Sequence, residues 1–483
     1  MPSLRSGPRL TRRLPHLAGL AIALCFAACS AAPHPNILVI VIDSLRADRV
    51  GFYDTHRNLS PFLDSLADHG NAFWNAYAQS SWALPSMASL WTSRYPWQHG
   101  VNAVNSVLSD TQPALAKVLK QHGYVAGGFS GNSELSADLG FAQGFDRYEV
   151  FAHPPKAGRT LPKTSAERVN REALAWLDSV RAKSAAPAFL YLHYTEPHFP
   201  YLPPQVFFDQ ILAQRPDPLA ERRVVFDMFY IHRNRWHQTD AATVAVLRDM
   251  YDGEVMHIDD GLRQLFSDLK SRGFLDHSIV VITSDHGEAF LEHGSTSHGN
   301  TLYNELIHVP LLLLISGQSA RVDIRQAVSL VDLGPTLLDL IGISAPSSFE
   351  GGSLAPVMGR ARPPGFLEKL TGSRQKAVPP VYSELLQAPE KKPPVLGAPL
   401  RSVIVGTRKL ILHQDGTAEA YDLAADPGET NGEALTAGDR SALQETITRL
   451  GQVPQSSTPA PTAAVDENAK GAATSAGGRG ADH

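Results

Sequence analysis

Residues 36–43 read NILVIVID. From Ile37 to Ile42 the run is unbroken, apolar and mostly β-branched, and it stops on a carboxylate, Asp43. A strand with one wet face alternates polar and apolar residues; a run without alternation suits a strand covered on both faces, as in parallel sheets. Outward along the chain the same texture recurs at residues 124–129, at 189–194 (FLYLHY), at 279–284 (IVVITS) and at 309–315 (VPLLLLI). Between these runs the spacing turns helical. Ser60 and Pro61 open a helix with Phe62, Leu63 and Leu66 on one side and Gly70 at its end. Another spans residues 112–122 and stops at Gly123. Thr164 and Glu167 have capping-box spacing before a helix that buries Val169, Ala173, Trp176 and Val180. A longer helical stretch covers about 241–270. This alternation predicts an α/β fold, a largely parallel sheet sandwiched by helices.

The chain has 483 residues, enough for a sizeable core. With 43% hydrophobic and 19% charged residues it is not a wholly disordered chain. A formal charge of −5 excludes binding of nucleic acid through bulk positive charge, and no nucleic-acid partner is expected. Cys25 and Cys29 are its two cysteines, too few for a disulfide framework. Residues 1–28 carry Arg5, Arg9, Arg12 and Arg13 and no acid, then an apolar stretch too short for a secure membrane span. That order reads as an export signal. Phe26-Ala27-Ala28-Cys29 resembles a bacterial lipobox, which implies cleavage before Cys29 and lipidation of its thiol; an ordinary signal cut nearby is the alternative. The expected location is therefore the bacterial cell envelope, with a membrane contact through the N-terminal lipid. Residues 29–350 form the main domain. After Gly351 the texture becomes Pro- and Gly-rich, with short strands near 402–405, 409–413 and 419–423, which predicts a small α+β subdomain over 351–453. Residues 454–483 are a tail of Ala, Gly, Ser, Thr and Pro, expected to be disordered.

Polar residues gather where the apolar strands end. The first leads into Asp43, FLYLHY into His193, Glu196 and His198, and IVVITS into Asp285-His286-Gly287-Glu288. Ligand sites in open α/β sheets lie outside the carboxyl ends of strands, so these three exits point to one cleft. Oxygens of Asp43 and Asp285 with a nitrogen of His286 make a reasonable divalent-metal set. Each residue alone has an ordinary reading as a turn or cap, and their joint occurrence favours a site. His298, in Ser297-His298-Gly299, would by itself read as a loop histidine. Residues 222–237 mix cations with aromatics and read as a solvated helix face before a polyanion-binding wall.

Several segments are similar to the sulfatases of the alkaline phosphatase superfamily: PNILVIVIDSLRADRVGFY, PSMASLWTSRYPWQHGV, YLHYTEPHFPY, YDGEVMHIDD, TSDHGEAFLEHG, SHGNTLYNELIHVPLLL and EAYDLAADPGET. The resemblance spans roughly residues 35–425 and implies metal-assisted hydrolysis of a sulfate- or phosphate-type ester, with an anionic ester as partner. Asp43, Asp285 and His286 match metal-ligand positions. His198 matches the histidine that contacts the substrate or leaving group. His298 matches the residue that binds the transferring anion or acts as its general acid. The cation would neutralise oxyanion charge and lower a nucleophile's pKa.

Three departures refine this. Calcium sulfatases have Asp-Asp and Asp-Asn where this chain has Asp43-Ser44 and Asp285-His286. One divalent metal is expected, manganese or zinc favoured over calcium, with magnesium still compatible. This looks more like the superfamily's phosphonate monoester hydrolases. Second, the C/S-x-P-S-R motif that supplies the formylglycine nucleophile is here Ala83-Leu84-Pro85-Ser86-Met87. Ala83 has nothing to oxidise, so no formylglycine is expected. Two readings stay open: a hydrolase attacking with water at the metal, or with Ser81 or Ser86, and a pseudoenzyme that binds its ligand without turnover. For the two hydroxyls, helix capping by Ser86 and a solvated loop at Ser81 are the simpler assignments. Third, head-group transferases on this fold usually carry several membrane spans, and a lipid-tethered hydrolase fits better. Lys409, in RKLIL, resembles a family position and suits a surface lysine equally well.

Overall fold

Strand β1 (Asn36–Ile42) lies inside an eight-stranded sheet. Its place explains its composition. Ile37, Val39 and Val41 enter one apolar core, while Leu38, Ile40 and Ile42 enter a second, as alternation along a strand requires. The other strands are β2 (Asn71–Tyr77), β3 (Val125–Ser130), β4 (Arg147–Val150), β5 (Ala188–Tyr194), β6 (Ser278–Thr283), β9 (His308–Ile315) and β10 (Val322–Ser329), with a two-stranded ribbon of β7 (Ala289–Phe290) and β8 (Thr296–Ser297). The order across the sheet is β10-β2-β9-β6-β1-β5-β3-β4. Strand β9 runs against β2 and β6, and the remaining pairings are parallel. The sheet is thus largely parallel, as its apolar runs predict. These features come from a computed structural model that describes residues 34–53, 57–151, 166–213, 241–360, 379–386 and 399–450. The export signal with Cys29, Thr164, residues 222–237 and the tail 454–483 lie outside the described residues.

Helices cover both faces. Helices α1 (Pro61–Ala67), α4 (Ala166–Arg181), α5 (Gln205–Leu212) and α6 (Ala241–Ser271) supply residues such as Leu63, Trp176, Phe208 and Leu262 to the second core. Helices α2 (Ala83–Thr92), α3 (Leu115–Gln121) and α7 (Leu333–Leu340) bury Met87, Leu119 and Leu337 in the first. Gly127 on β3 lets α4 approach, since a Cβ there would lie 2.8 Å from the Trp176 ring. Ser60 takes the N-cap position of α1, but its hydroxyl accepts from the Gly51 N–H at 2.8 Å and does not cap the helix.

A separate antiparallel sheet follows, in chain order β11 (Val381–Leu385), β12 (Leu400–Val405), β13 (Arg408–Leu412) and β14 (Ala418–Asp422). Val381, Leu400, Ile404 and Ile411 extend the first core. Lys409 is not a surface lysine. It is fully buried, with Nζ 2.7 Å from Glu429 Oε1 and donating to Asn304 Oδ1 at 3.1 Å; the paired carboxylate makes its burial tolerable. Helix α8 (Ala437–Leu450) belongs to a second compact unit. Among the described residues, no helix is long and apolar enough to cross a membrane.

One buried acid predicts a pH slope. Asp332 accepts the N–H groups of Ser329 at 2.9 Å and Gly352 at 2.8 Å, yet burial pushes its pKa up to about 7. The folded chain keeps a proton there that the unfolded chain releases near pH 4. Its contribution to stability is therefore complete below that pH and is lost as pH rises through about 7. Unfolding free energy measured in urea should fall by up to ~1.4 kcal/mol per pH unit from this group between those limits. Asp332→Asn should flatten that slope; an unchanged slope would refute the assignment.

Candidate active site

Asp43 caps the carboxyl end of β1, and Asp285 and His286 follow β6. Ser44 holds them together. Its φ of 61° is left-handed, a conformation costing a non-glycine residue ~1–3 kcal/mol. In that conformation its N–H donates to Asp285 Oδ1 at 3.2 Å and its hydroxyl to Asp43 Oδ1 at 3.2 Å. Ser284 fixes the other side, accepting from Leu45 N at 2.9 Å and donating to the His286 carbonyl at 2.6 Å. Two imidazoles then face the two carboxylates. His286 Nε2 lies 3.6 Å from Asp43 Oδ1 and 3.7 Å from Asp285 Oδ2. His193 Nε2, on β5, lies 3.4 Å from Asp43 Oδ2 and 3.8 Å from Asp285 Oδ2. All four side chains are buried.

The electrostatics suit a cation. Burial works against the charge of Asp43, but the imidazoles of His198, His193 and His286 outweigh it and hold this carboxyl well below the usual range. Asp285, equally buried and beside the charge of Asp43, is pushed well above it. Two buried carboxylates this close do not both ionise unaided; a dication lets them. His286 is driven down to about 3, first by burial and then by the charge of His298, so its imidazole is neutral. Its Nδ1 lies 2.8 Å from the Gly287 carbonyl, which accepts the Nδ1 proton and leaves Nε2 with a lone pair. That Nε2 and Asp285 Oδ2 are buried with no hydrogen-bond partner. Buried polar atoms are rarely left unmatched, and two orphaned acceptors on a carboxylate and an imidazole fit a divalent metal.

The remaining histidines stand beside this group. Ser297, at φ 68°, turns the chain so that the His298 ring lies 4.5 Å from that of His286 and 5.0 Å from that of His198. Glu288, fully buried, sits 3.1 Å from His298 Nδ1. Burial opposes charge on His298, yet the Glu288 carboxylate outweighs it and lifts the pKa to about 9. The cleft thus pairs a cation site with an imidazolium, which is what an anionic ester needs.

Helix α2 begins against the same cleft. The Gly299 N–H donates to the Ser81 carbonyl at 2.8 Å, and the Ser86 hydroxyl donates to the Asp285 carbonyl at 2.6 Å. Ala83 is the first residue of α2 and offers no heteroatom, and Met87 is fully buried in the first core. Ser81 is not a solvated loop residue: it is fully buried, and its hydroxyl has no partner. The Ser86 hydroxyl neither caps α2 nor points free; it braces the backbone of Asp285. Ser86→Ala should therefore lower any turnover by less than about tenfold, whereas loss of an attacking group costs on the order of a thousandfold or more. Single-turnover rates with the variant decide between these.

Sequence reasoning missed Asn132 and Tyr191, and placed Glu288 at the cleft without its partner. Asn132 donates to Asp43 Oδ2 at 2.7 Å, Glu288 charges His298, and Tyr191 lies 2.8 Å from His193 Nδ1. Asn132 follows β3, so the rule about strand exits, applied to one more strand, would have found it. Glu196, from the β5 exit, lies elsewhere, grouped with Glu254 and His257.

Comparison with known proteins places the chain in a family. A sequence model described as Sulfatase matches residues 35–343. The Delta 4,5-hexuronate-2-O-sulfatase of Bacteroides thetaiotaomicron is 27% identical over 476 residues, covering 89% of this chain and 92% of that protein. Arylsulfatase K of Bos taurus is 28% identical over 360 residues, covering 67% of this chain and 65% of that protein. Among solved structures, a protein in complex with its substrate D-glucosamine-2-N,6-O-disulfate superposes with a TM-score of 0.68 at 20% identity, covering 86% of this chain and 97% of the other. The phosphonate monoester hydrolase of Agrobacterium radiobacter superposes with a TM-score of 0.65 at 20% identity, covering 86% and 95%. The shared fold and the extent of the sequence match lead to one conclusion: the chain belongs to the sulfatase family.

Proposed function

We propose that this chain is a metal-dependent hydrolase of sulfate or phosphate-type esters, phosphonates included, acting outside the cytoplasm. The observation that carries this reading is the buried aspartate pair with two orphaned acceptors beside it, Asp285 Oδ2 and His286 Nε2, one ring away from an imidazolium. Asp43, Asp285 and His286 would hold the cation, manganese or zinc in preference to calcium, with magnesium compatible. Bound there, it would neutralise developing oxyanion charge and acidify the attacking group. His298 would face the transferring anion, with the His198 ring 5.0 Å from its own. Ala83 offers no heteroatom and Ser86 is engaged on a backbone carbonyl, which leaves the buried, unpartnered Ser81 hydroxyl or water as the attacking group; water is the simpler, since it needs no covalent intermediate. Its oxygen bonds to sulfur or phosphorus as the ester S–O or P–O bond breaks. The leaving oxygen takes the proton carried by His298, which is reset by the proton the water gives up.

The relative named as a hexuronate-2-O-sulfatase, and the neighbour bound to a glucosamine disulfate, support placing sulfated saccharides first among substrates. The basic and then apolar residues 1–28, with Cys29 after Ala27 and Ala28, support export and a lipid anchor. A second reading has its own observation: Ala83 and the buried Met87 leave the family's nucleophile position empty of chemistry, which suits a protein that binds an anionic ester without turnover. The test is a panel of aryl sulfate, phosphate and phosphonate esters and sulfated disaccharides, with manganese or zinc added. Metal-dependent turnover of one class supports the hydrolase; saturable binding with no turnover on any member supports the binding protein.

A further inference from the structure

We propose that His193 is a ligand of the cation in its own right, oriented by Tyr191, making the centre a set of two aspartates and two histidines; this rests on the metal reading of the cleft. His193 lies outside the set that the sequence pattern supplies, and a lone polar residue near the end of an apolar strand is most simply a satisfied core histidine. Its placement says more. Nε2 lies 3.4 Å from Asp43 Oδ2, a long hydrogen bond, and 3.8 Å from Asp285 Oδ2. These three donors lie within 4.8 Å of one another, close enough to share one ion. His286 Nε2 approaches the other oxygen of Asp43 at 3.6 Å and the same Asp285 Oδ2 at 3.7 Å. The two imidazoles therefore flank one pair of carboxylates.

The tautomer can be supplied locally. Tyr191 Oη lies 2.8 Å from His193 Nδ1. As acceptor of the Nδ1 proton it leaves Nε2 free to ligate, as the Gly287 carbonyl does for His286. Charge balances too: two carboxylates and two neutral imidazoles match one dication in a fully buried site, where excess charge is costly. Two imidazoles shift preference towards zinc, manganese or cobalt and away from calcium and magnesium. Such a centre keeps four protein donors although residue 83 contributes none.

Cobalt(II) tests this without turnover. The full chain, stripped and reloaded, is titrated against a competing chelator while the visible absorption of the bound ion is recorded. His193→Ala should weaken cobalt binding by about a hundredfold or more and alter the absorption band; Tyr191→Phe should weaken it by about tenfold. His193→Gln, which keeps the volume and a polar tip, carries the test if His193→Ala does not fold, with melting of the metal-free proteins as the check. Wild-type affinity and an unchanged band in both His193 variants would overturn the proposal, and unchanged affinity in Tyr191→Phe would overturn its orienting part. If wild type binds cobalt and Asp285→Ala does not, while the His193 variants do, this inference alone fails. If wild type binds no cobalt, the metal reading of the cleft fails with it.

Discussion

Asp285→Ala should abolish turnover and stoichiometric metal together, at least about a thousandfold in rate. Asp285 is fully buried, its Oδ2 is shared between the approaches of His193 and His286, and that oxygen has no hydrogen-bond partner. The other oxygen is structural, accepting the N–H groups of Ser44 at 3.2 Å and His286 at 3.0 Å. Alanine removes both functions and releases the left-handed turn at Ser44, so lost activity alone would be ambiguous. Asp285→Asn separates them. It keeps an acceptor for the two amides and removes the charge that burial and Asp43 make unfavourable without a cation. Metal-free Asp285→Asn should melt at or above metal-free wild type. Added manganese or zinc should raise the melting temperature of wild type only, because a ligand stabilises the state that binds it. If either variant retained more than about a hundredth of wild-type turnover on its best ester, the chemistry would lie outside this cleft.

What could be read in advance follows from where each residue sits. Strands β1, β5, β6 and β9 are covered on both faces and so advertise themselves as unbroken apolar runs. Strand β10 is at the sheet edge, and its VDIRQAVS mixes exposed, half-buried and buried residues; β4, RYEV, is half-buried throughout. Neither shows such a run. Strand β2 is interior, yet NAFWNAY begins on an asparagine whose side-chain amide donates to the Leu313 carbonyl at 2.9 Å, a satisfaction invisible before the chain folds. The site divides in the same way. Asp43, Asp285 and His286 stand at strand exits, where local sequence announces them. The charging of His298 needs Glu288 at the open end of the β7–β8 ribbon, and the burial of Lys409 needs Glu429 from beyond β14. Each of these is a tertiary pairing, and only the packed chain reveals which polar residue meets which.

Replacing His298 should cost less than removing the metal ligand, about a hundredfold to ten-thousandfold in turnover, and the pattern of loss matters more than its size. Glu288 holds this ring cationic up to about pH 9 in the cation-free cleft. A bound dication draws that limit down, so turnover that needs imidazolium should fall as pH rises through a value at or below 9. Glu288→Gln removes the charge that sustains it and should move this alkaline limb to lower pH. His298 has two available roles, and leaving groups distinguish them. A proton donor matters most where the departing oxygen is basic, so His298→Ala should damage alkyl and sugar esters far more than a nitrophenyl ester. An anion-binding cation matters equally to all, and His298→Lys should then restore much of the loss. The geometry favours the donor: the ring lies against His286 on one side and His198 on the other, and its protonated Nδ1 is engaged by Glu288, which leaves Nε2–H as the mobile proton. A uniform loss across leaving groups, rescued by lysine, would reverse that assignment and leave His198 as the remaining source of the proton.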